Sequence, residues 1–153
     1  MTIAPIATRY AGYHFRSRLE ARWAVVFDYL GLEWEYEYEG YALPSGWYLP
    51  DFWVPTPGIW VEIKPAPINE DPRWRELVQT TEHDLFVFYG TPGDSSLRGY
   101  VTKGASGNVY DFSLGGGYPL CESGFGTSKV NSHIAAAYNA ARSARFEHGQ
   151  SGA

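Results

Sequence analysis

The sequence predicts an α/β fold, a mixed central β-sheet flanked by helices, and three stretches carry that expectation. An amphipathic stripe of helical period runs from Arg16 to Leu30. Two short runs, Ile59–Lys64 and Leu85–Tyr89, are hydrophobic enough to be strands buried on both faces. Between them Asp71-Pro72 opens a further helical segment. A strand, a crossover helix and a second buried strand imply a parallel βαβ unit of right-handed sense. At 153 residues the chain is long enough for one domain with its own core.

Taken in order, residues 1–12 show no periodicity and are expected to form an arm. In the first helix Phe15, Leu19, Trp23, Val26, Phe27 and Leu30 fall on one stripe, and Gly31 suits the position just past its end. Glu33–Glu39 alternates, with Trp34, Tyr36 and Tyr38 on one face and four glutamates on the other, which reads as a half-exposed strand with a solvated acidic side. Pro44-Ser45-Gly46 turns the chain, and Tyr48–Val54 returns as a strand that Pro50 confines to an edge or a bend. Pro55-Thr56-Pro57-Gly58 turns it again into the central strand Ile59–Lys64. Asp71 then caps a helix with Pro72 at its first position and Trp74, Leu77 and Val78 on its inner face. After Leu85–Tyr89, the stretches Leu97–Thr102 and Asn108–Leu114 form a hairpin around residues 103–107. A Gly-rich loop, Gly115–Gly126, follows, and an Ala-rich helix over Ile134–Phe146 ends with Arg142 and Arg145. The expected organisation is a single domain: arm 1–12, core 13–90, hairpin and loop 91–131, C-terminal helix 132–147.

Charged residues interrupt this pattern where it is most hydrophobic. Asp51 and Glu62 lie eleven residues apart, and Lys64 follows two further on, in Tyr48-Leu49-Pro50-Asp51-Phe52 and Trp60-Val61-Glu62-Ile63-Lys64. Burying an unpaired charge is costly, so such groups persist inside only when something compensates them. Strand alternation sets Glu62 and Lys64 on one face with Trp60, and Val61 and Ile63 on the other. Two carboxylates and an ammonium at a strand end are the parts needed to hold a divalent metal and activate a water. Glu20, in Ser17-Arg18-Leu19-Glu20, borders the apolar stripe of the first helix. It has two readings: an acid reaching toward the sheet, or the third residue of a capping box closing back on Ser17.

Pro50-Asp51 followed by Glu62-x-Lys64 on a hydrophobic strand, with Glu20 on the preceding helix, resembles the PD-(D/E)XK nuclease superfamily, most closely its small phage-encoded and transposon-end-cleaving members. The likeness covers roughly residues 13 to 90. It implies a restriction-endonuclease-like core and metal-dependent hydrolysis of DNA by an endonuclease, with RNA offering the same phosphodiester chemistry. It implies catalytic roles for Asp51, Glu62, Lys64 and Glu20. Asp51 and Glu62 would be direct ligands of Mg²⁺, with Mn²⁺ able to substitute, joined by the Ile63 carbonyl and by Glu20 directly or through water. Lys64 would position the attacking water and stabilise the transition state. Arg16, Arg18 and Arg22 surround Glu20 and are candidates for phosphate contacts, or plain surface cations. Gln79 lies where some family members carry a functional glutamine, but points away from its helix's apolar face. A homodimer would allow both strands to be cut.

Composition limits the alternatives. High aromatic content (17%) with ordinary charge argues against disorder. A single cysteine, Cys121, excludes an intramolecular disulfide framework and a Cys-rich zinc site, and suits a reducing compartment; the expected location is the cytoplasm, that of the host if the protein is phage-encoded. No apolar run spans a membrane, and no secretory leader is visible. His14, His83, His133 and His148 form no ligand-spaced pair. The glycines of 115–126 lack the Gly-Lys-Ser/Thr of a phosphate loop. Trp47, Tyr48 and Trp60 are candidates for base stacking or for the core. The net charge of −5 speaks against a broad basic DNA-binding face, although clustered metal-binding carboxylates inflate the acidic count. The competing function is a catalytically silent module on the same fold that binds nucleic acid or protein.

Overall fold

The computed structural model describes residues 6–56, 58–66, 70–93, 98–101, 109–112 and 128–146, with backbone alone for 98–101, 109–112 and 128–133. It is a mixed α/β structure. Where an arm was expected, β1 (Thr8–Tyr10) pairs antiparallel with β2 (Tyr13–Phe15). The turn between them is Ala11-Gly12, both at positive φ, and a non-glycine residue there leaves little signal in the sequence. Next comes α1 (Arg18–Tyr29), capped by Ser17, whose hydroxyl accepts from Glu20 N–H. Gly31 at φ +74 ends it as expected.

The strand expected over Glu33–Glu39 shortens to β3 (Glu35–Tyr36), because Glu37 adopts the left-handed conformation and turns the chain away. The glutamates of this stretch are surface groups: Glu35 accepts from the Tyr13 hydroxyl, Glu37 pairs with Arg16 and Glu39 accepts from the Tyr41 hydroxyl. The strand expected over Tyr48–Val54 divides at Leu49-Pro50. Its first part belongs to a separate hairpin of β4 (Tyr41–Leu43) and β5 (Gly46–Tyr48), and its second is β6 (Phe52–Val54) in the main sheet. Proline cannot donate to a ladder, so the break falls where the notion of a bend placed it.

Then follow β7 (Ile59–Lys64), α2 (Pro72–Thr81, capped by Asp71), β8 (Leu85–Tyr89), β9 (Arg98–Val101), β10 (Val109–Phe112) and α3 (Ser128–Ser143). The last helix begins before the expected residue 132. Residues 102–108, the glycines of 115–126, Cys121 and His148 lie outside the described residues. Among the described residues the main sheet has six strands in the order β10-β9-β8-β7-β6-β3, and of these only β7 and β8 pair in parallel, with Glu62 opposite Val87 and Lys64 opposite Tyr89.

Alternation along β7 sorts the core into two layers. On one face Val61 and Ile63, with Phe86, Phe88 and Phe52, pack under α1, α3 and the aromatic residues of the first hairpin. Trp23 anchors this layer, stacked 4.6 Å from Phe88 with its indole N–H donating to the Gly90 carbonyl at 3.0 Å. On the other face Trp60, Val87 and Tyr89 pack under α2 and the β4–β5 hairpin. Glu62 and Lys64 share that second face. Among the described residues no helix is long and apolar enough to cross a membrane.

Candidate functional site

The register of β6 and β7 explains why Asp51 and Glu62 meet. Phe52 faces Val61, so two residues further along Ile63 comes opposite Pro50. Pro50 has no N–H, so the ladder offers the Ile63 carbonyl no donor at that position. The Ile63 N–H is satisfied instead by a side chain: it donates to Asp51 Oδ2 at 2.8 Å. Asp51 N–H in turn donates to Glu62 Oε1 over a long 3.3 Å, and the Asp51 carbonyl accepts from Glu37 N–H at 2.8 Å. Asp51 thus takes over the end of the strand pairing where proline has interrupted it.

The electrostatics follow from that packing. Glu62 is only 5% exposed. Asp51 keeps some exposed surface as a residue, but protein surrounds its carboxyl. Loss of solvent, then the charge of Glu62 and that of Glu20, raise the Asp51 pKa well above the carboxylate range; the Ile63 N–H opposes the rise. Like charges held together out of water either share a proton or hold a cation. Lys64 Nζ stands 3.3 Å from Glu62 Oε2, with its side chain 30% exposed, so the ammonium faces both the buried acid and solvent.

Glu20 stands apart from this group. It is buried, but Oε1 accepts from the Ser17 hydroxyl at 2.7 Å and Oε2 from the Tyr36 hydroxyl at 2.8 Å. Burial raises the Tyr36 pKa and Glu20 adds to it, which keeps the phenol a donor, while Arg16 N–H donates to the phenolic oxygen at 3.1 Å. Both readings of Glu20 therefore have a basis: it completes the helix cap, and its charge reaches Asp51. It comes from the α1 side of the sheet, whereas Glu62 lies on the α2 side, and Asp51 sits between them at the strand end.

The donor set fits a hard divalent cation in one form only. Among the described residues no group of three or more His, Cys, Asp and Glu side chains is arranged as a cage. Two carboxylates and one undonated carbonyl, those of Asp51, Glu62 and Ile63, suit an ion such as Mg²⁺, which retains waters and commonly takes one or two protein carboxylates plus substrate oxygens.

The remaining candidates divide. Arg22 is committed to the fold: its guanidinium donates to the carbonyls of Ala141 (2.7 Å), Arg142 (3.1 Å) and Ala144 (3.1 Å) and lies over the Phe146 ring. Arg16 extends into solvent beside Glu37, at 2.6 Å. Arg18 buries its Nε without a hydrogen-bond partner. Gln79 is exposed on the outer side of α2. Trp60 is core, its indole N–H donating to the Thr81 hydroxyl at 3.0 Å; Trp47 is exposed, lying over Gly40. Exposed His14 and His83 stand outside the site, and His83 packs edge-on against Trp53.

Asp71 and Arg73, which the sequence does not mark as site residues, stand beside it, and Tyr48, a candidate for base stacking or for the core, is buried. Asp71 binds Arg73, with Oδ2 2.6 Å from Nη2; that bond, with help from Lys64, lowers its pKa. Arg73 also donates to the Trp47 carbonyl at 2.8 Å and stands over the Tyr48 ring. Asp71 is legible in the sequence only as a helix cap, and Tyr48 only as an aromatic residue for stacking or for the core. Comparison with protein-family models, curated proteins and solved structures finds no match for this chain.

Proposed function

We propose that the chain is a metal-dependent nuclease with a restriction-endonuclease-like core, hydrolysing DNA phosphodiester bonds at the end of β7. The observation that carries this reading is the Asp51–Glu62 pair. Two desolvated carboxylates are held together beside a carbonyl that proline leaves undonated, with an ammonium 3.3 Å from one of them. A fold has no structural need for such a pair, which costs stability through repulsion and desolvation. Its persistence is accounted for by a cation.

Asp51, Glu62 and the Ile63 carbonyl would hold Mg²⁺, or Mn²⁺ in its place. When bound, the cation supplies charge neutralisation at the phosphate and lowers the pKa of water. Lys64, partly exposed, reaches toward the incoming phosphate, positions the attacking water and offsets the negative charge that grows in the transition state. Glu20 stabilises the cation-loaded site through Asp51, while Ser17 and Tyr36 hold it in place. Arg16 is an exposed cation beside Glu37, and Arg22 serves α3 instead.

The second reading, a silent module on the same fold, is favoured by one feature: both Glu20 oxygens already accept hydrogen bonds, so the third acid is not free to turn inward. Incubation with supercoiled plasmid separates the two. Nicking or linearisation in Mg²⁺ or Mn²⁺ that EDTA stops supports the nuclease. Intact plasmid in both metals, together with DNA retention in a gel shift, supports the silent module.

A further inference from the structure

Tyr48 is 4% exposed, and its hydroxyl is shielded from solvent with no hydrogen-bond partner. Buried polar groups are nearly always satisfied, and an exception invites a functional explanation. The surroundings here are specific. Loss of solvent first, then the charges of Glu62 and Asp51, an approach to Glu62 that falls short of hydrogen-bond geometry, and the charge of Asp71 push the phenol up. Its ring cannot swing away, because the Arg73 guanidinium stands 5.2 Å from the ring centroid, anchored by Asp71 and by the Trp47 carbonyl.

Glu62 presents the complementary deficit. Its two contacts, from Asp51 N–H and from Lys64 Nζ, are both 3.3 Å, long for bonds to a buried carboxylate. Asp51 is better served, with a 2.8 Å bond from Ile63 N–H. A buried carboxylate without a short donor thus lies beside a buried donor without an acceptor. We propose that Tyr48 is a positioning residue of the site: its hydroxyl donates to Glu62 when that carboxylate turns to hold a cation, fixing its orientation. This inference rests on the metal-site reading above. It assigns the β4–β5 hairpin a task, since β5 delivers Tyr48 and the Asp71–Arg73 pair at the start of α2 holds the ring in place.

Tyr48→Phe removes the hydroxyl and keeps the ring. Mn²⁺ binding to the DNA-free protein is measured by calorimetry for wild type, Tyr48→Phe and Asp51→Asn, alongside melting in EDTA. Groups that orient a metal ligand typically influence affinity by ten- to a hundredfold, so Tyr48→Phe should weaken Mn²⁺ binding by about tenfold. Its melting temperature in EDTA should stay level or rise, because the lost hydroxyl had no partner. Cleavage should fall at low Mn²⁺ and recover at high Mn²⁺. Binding lost in Asp51→Asn but unchanged in Tyr48→Phe would overturn the role of Tyr48 and leave the metal site standing. A lowered melting temperature with unchanged Mn²⁺ affinity would likewise reduce Tyr48 to packing. Absence of Mn²⁺ binding by the wild type would overturn both.

Discussion

Replacing Asp51 with Asn separates the chemistry of the site from its folding. In the metal-free protein, desolvation and the charges of Glu62 and Glu20 hold the Asp51 pKa well above its ordinary value. The folded state therefore keeps a proton that the unfolded chain releases above about pH 4. Between those two pKa values the native state binds more protons than the unfolded one, so stability falls as pH rises. The decline is about 1.4 kcal/mol for each pH unit until the raised pKa is passed. An asparagine amide copies the protonated acid: its oxygen can accept from Ile63 N–H, as Asp51 Oδ2 does at 2.8 Å, and its NH₂ can donate to Glu62. In EDTA, Asp51→Asn should abolish that decline and be the more stable protein at neutral pH. Urea unfolding from about pH 4 to about pH 8 measures both effects. In Mg²⁺ the order should reverse, since a cation at a hundredfold excess over Kd stabilises the wild type by about 2.7 kcal/mol. Parallel pH curves in EDTA, or a variant less stable than the wild type at neutral pH, would refute the reasoning.

Lys64→Ala should abolish plasmid cleavage and lower stability by about 1–2 kcal/mol, because buried Glu62 loses its ammonium; retained cleavage would remove lysine from the mechanism. Glu20→Gln keeps one acceptor for Ser17 or Tyr36 but not two, at a cost of about 1 kcal/mol, and should raise the Mg²⁺ needed for half-maximal activity. A normal metal titration would leave Glu20 a cap only. Arg22→Met should destabilise the protein by about 2 kcal/mol through loss of charged donors to the end of α3, with DNA affinity in Ca²⁺ unchanged. DNA binding should be weak in EDTA, restored by Ca²⁺ without cleavage, and shallow in salt dependence, since each phosphate neutralised by a protein cation adds about −0.9 to the log–log slope for duplex DNA and the net charge is −5. Tight, steeply salt-dependent binding in EDTA would point to a basic surface instead.

What the sequence determined by itself was local. The stripe and caps of α1, the Asp71-Pro72 start of α2, and the apolar runs of β7 and β8 are set by interactions between residues a few positions apart, so periodicity and capping chemistry reveal them. The proximity of Asp51 and Glu62 was legible for a related reason, since short turns between adjacent antiparallel strands bring their ends together. Tertiary structure decided the rest. Glu37 at positive φ cut a seven-residue alternation to a two-residue strand, and a turn at Ala11-Gly12 made a hairpin from an aperiodic arm. Arg22 found its partners 119 to 122 residues away, at the end of a helix that its own neighbourhood does not announce. Tyr48, hydrophobic by type, became the unpaired donor of the site because α2 and Arg73 close over it. Burial, the raised pKa of Asp51 and the sharing of acceptors around Glu20 depend on which distant segments exclude water from a side chain, and that is a property of the packed fold.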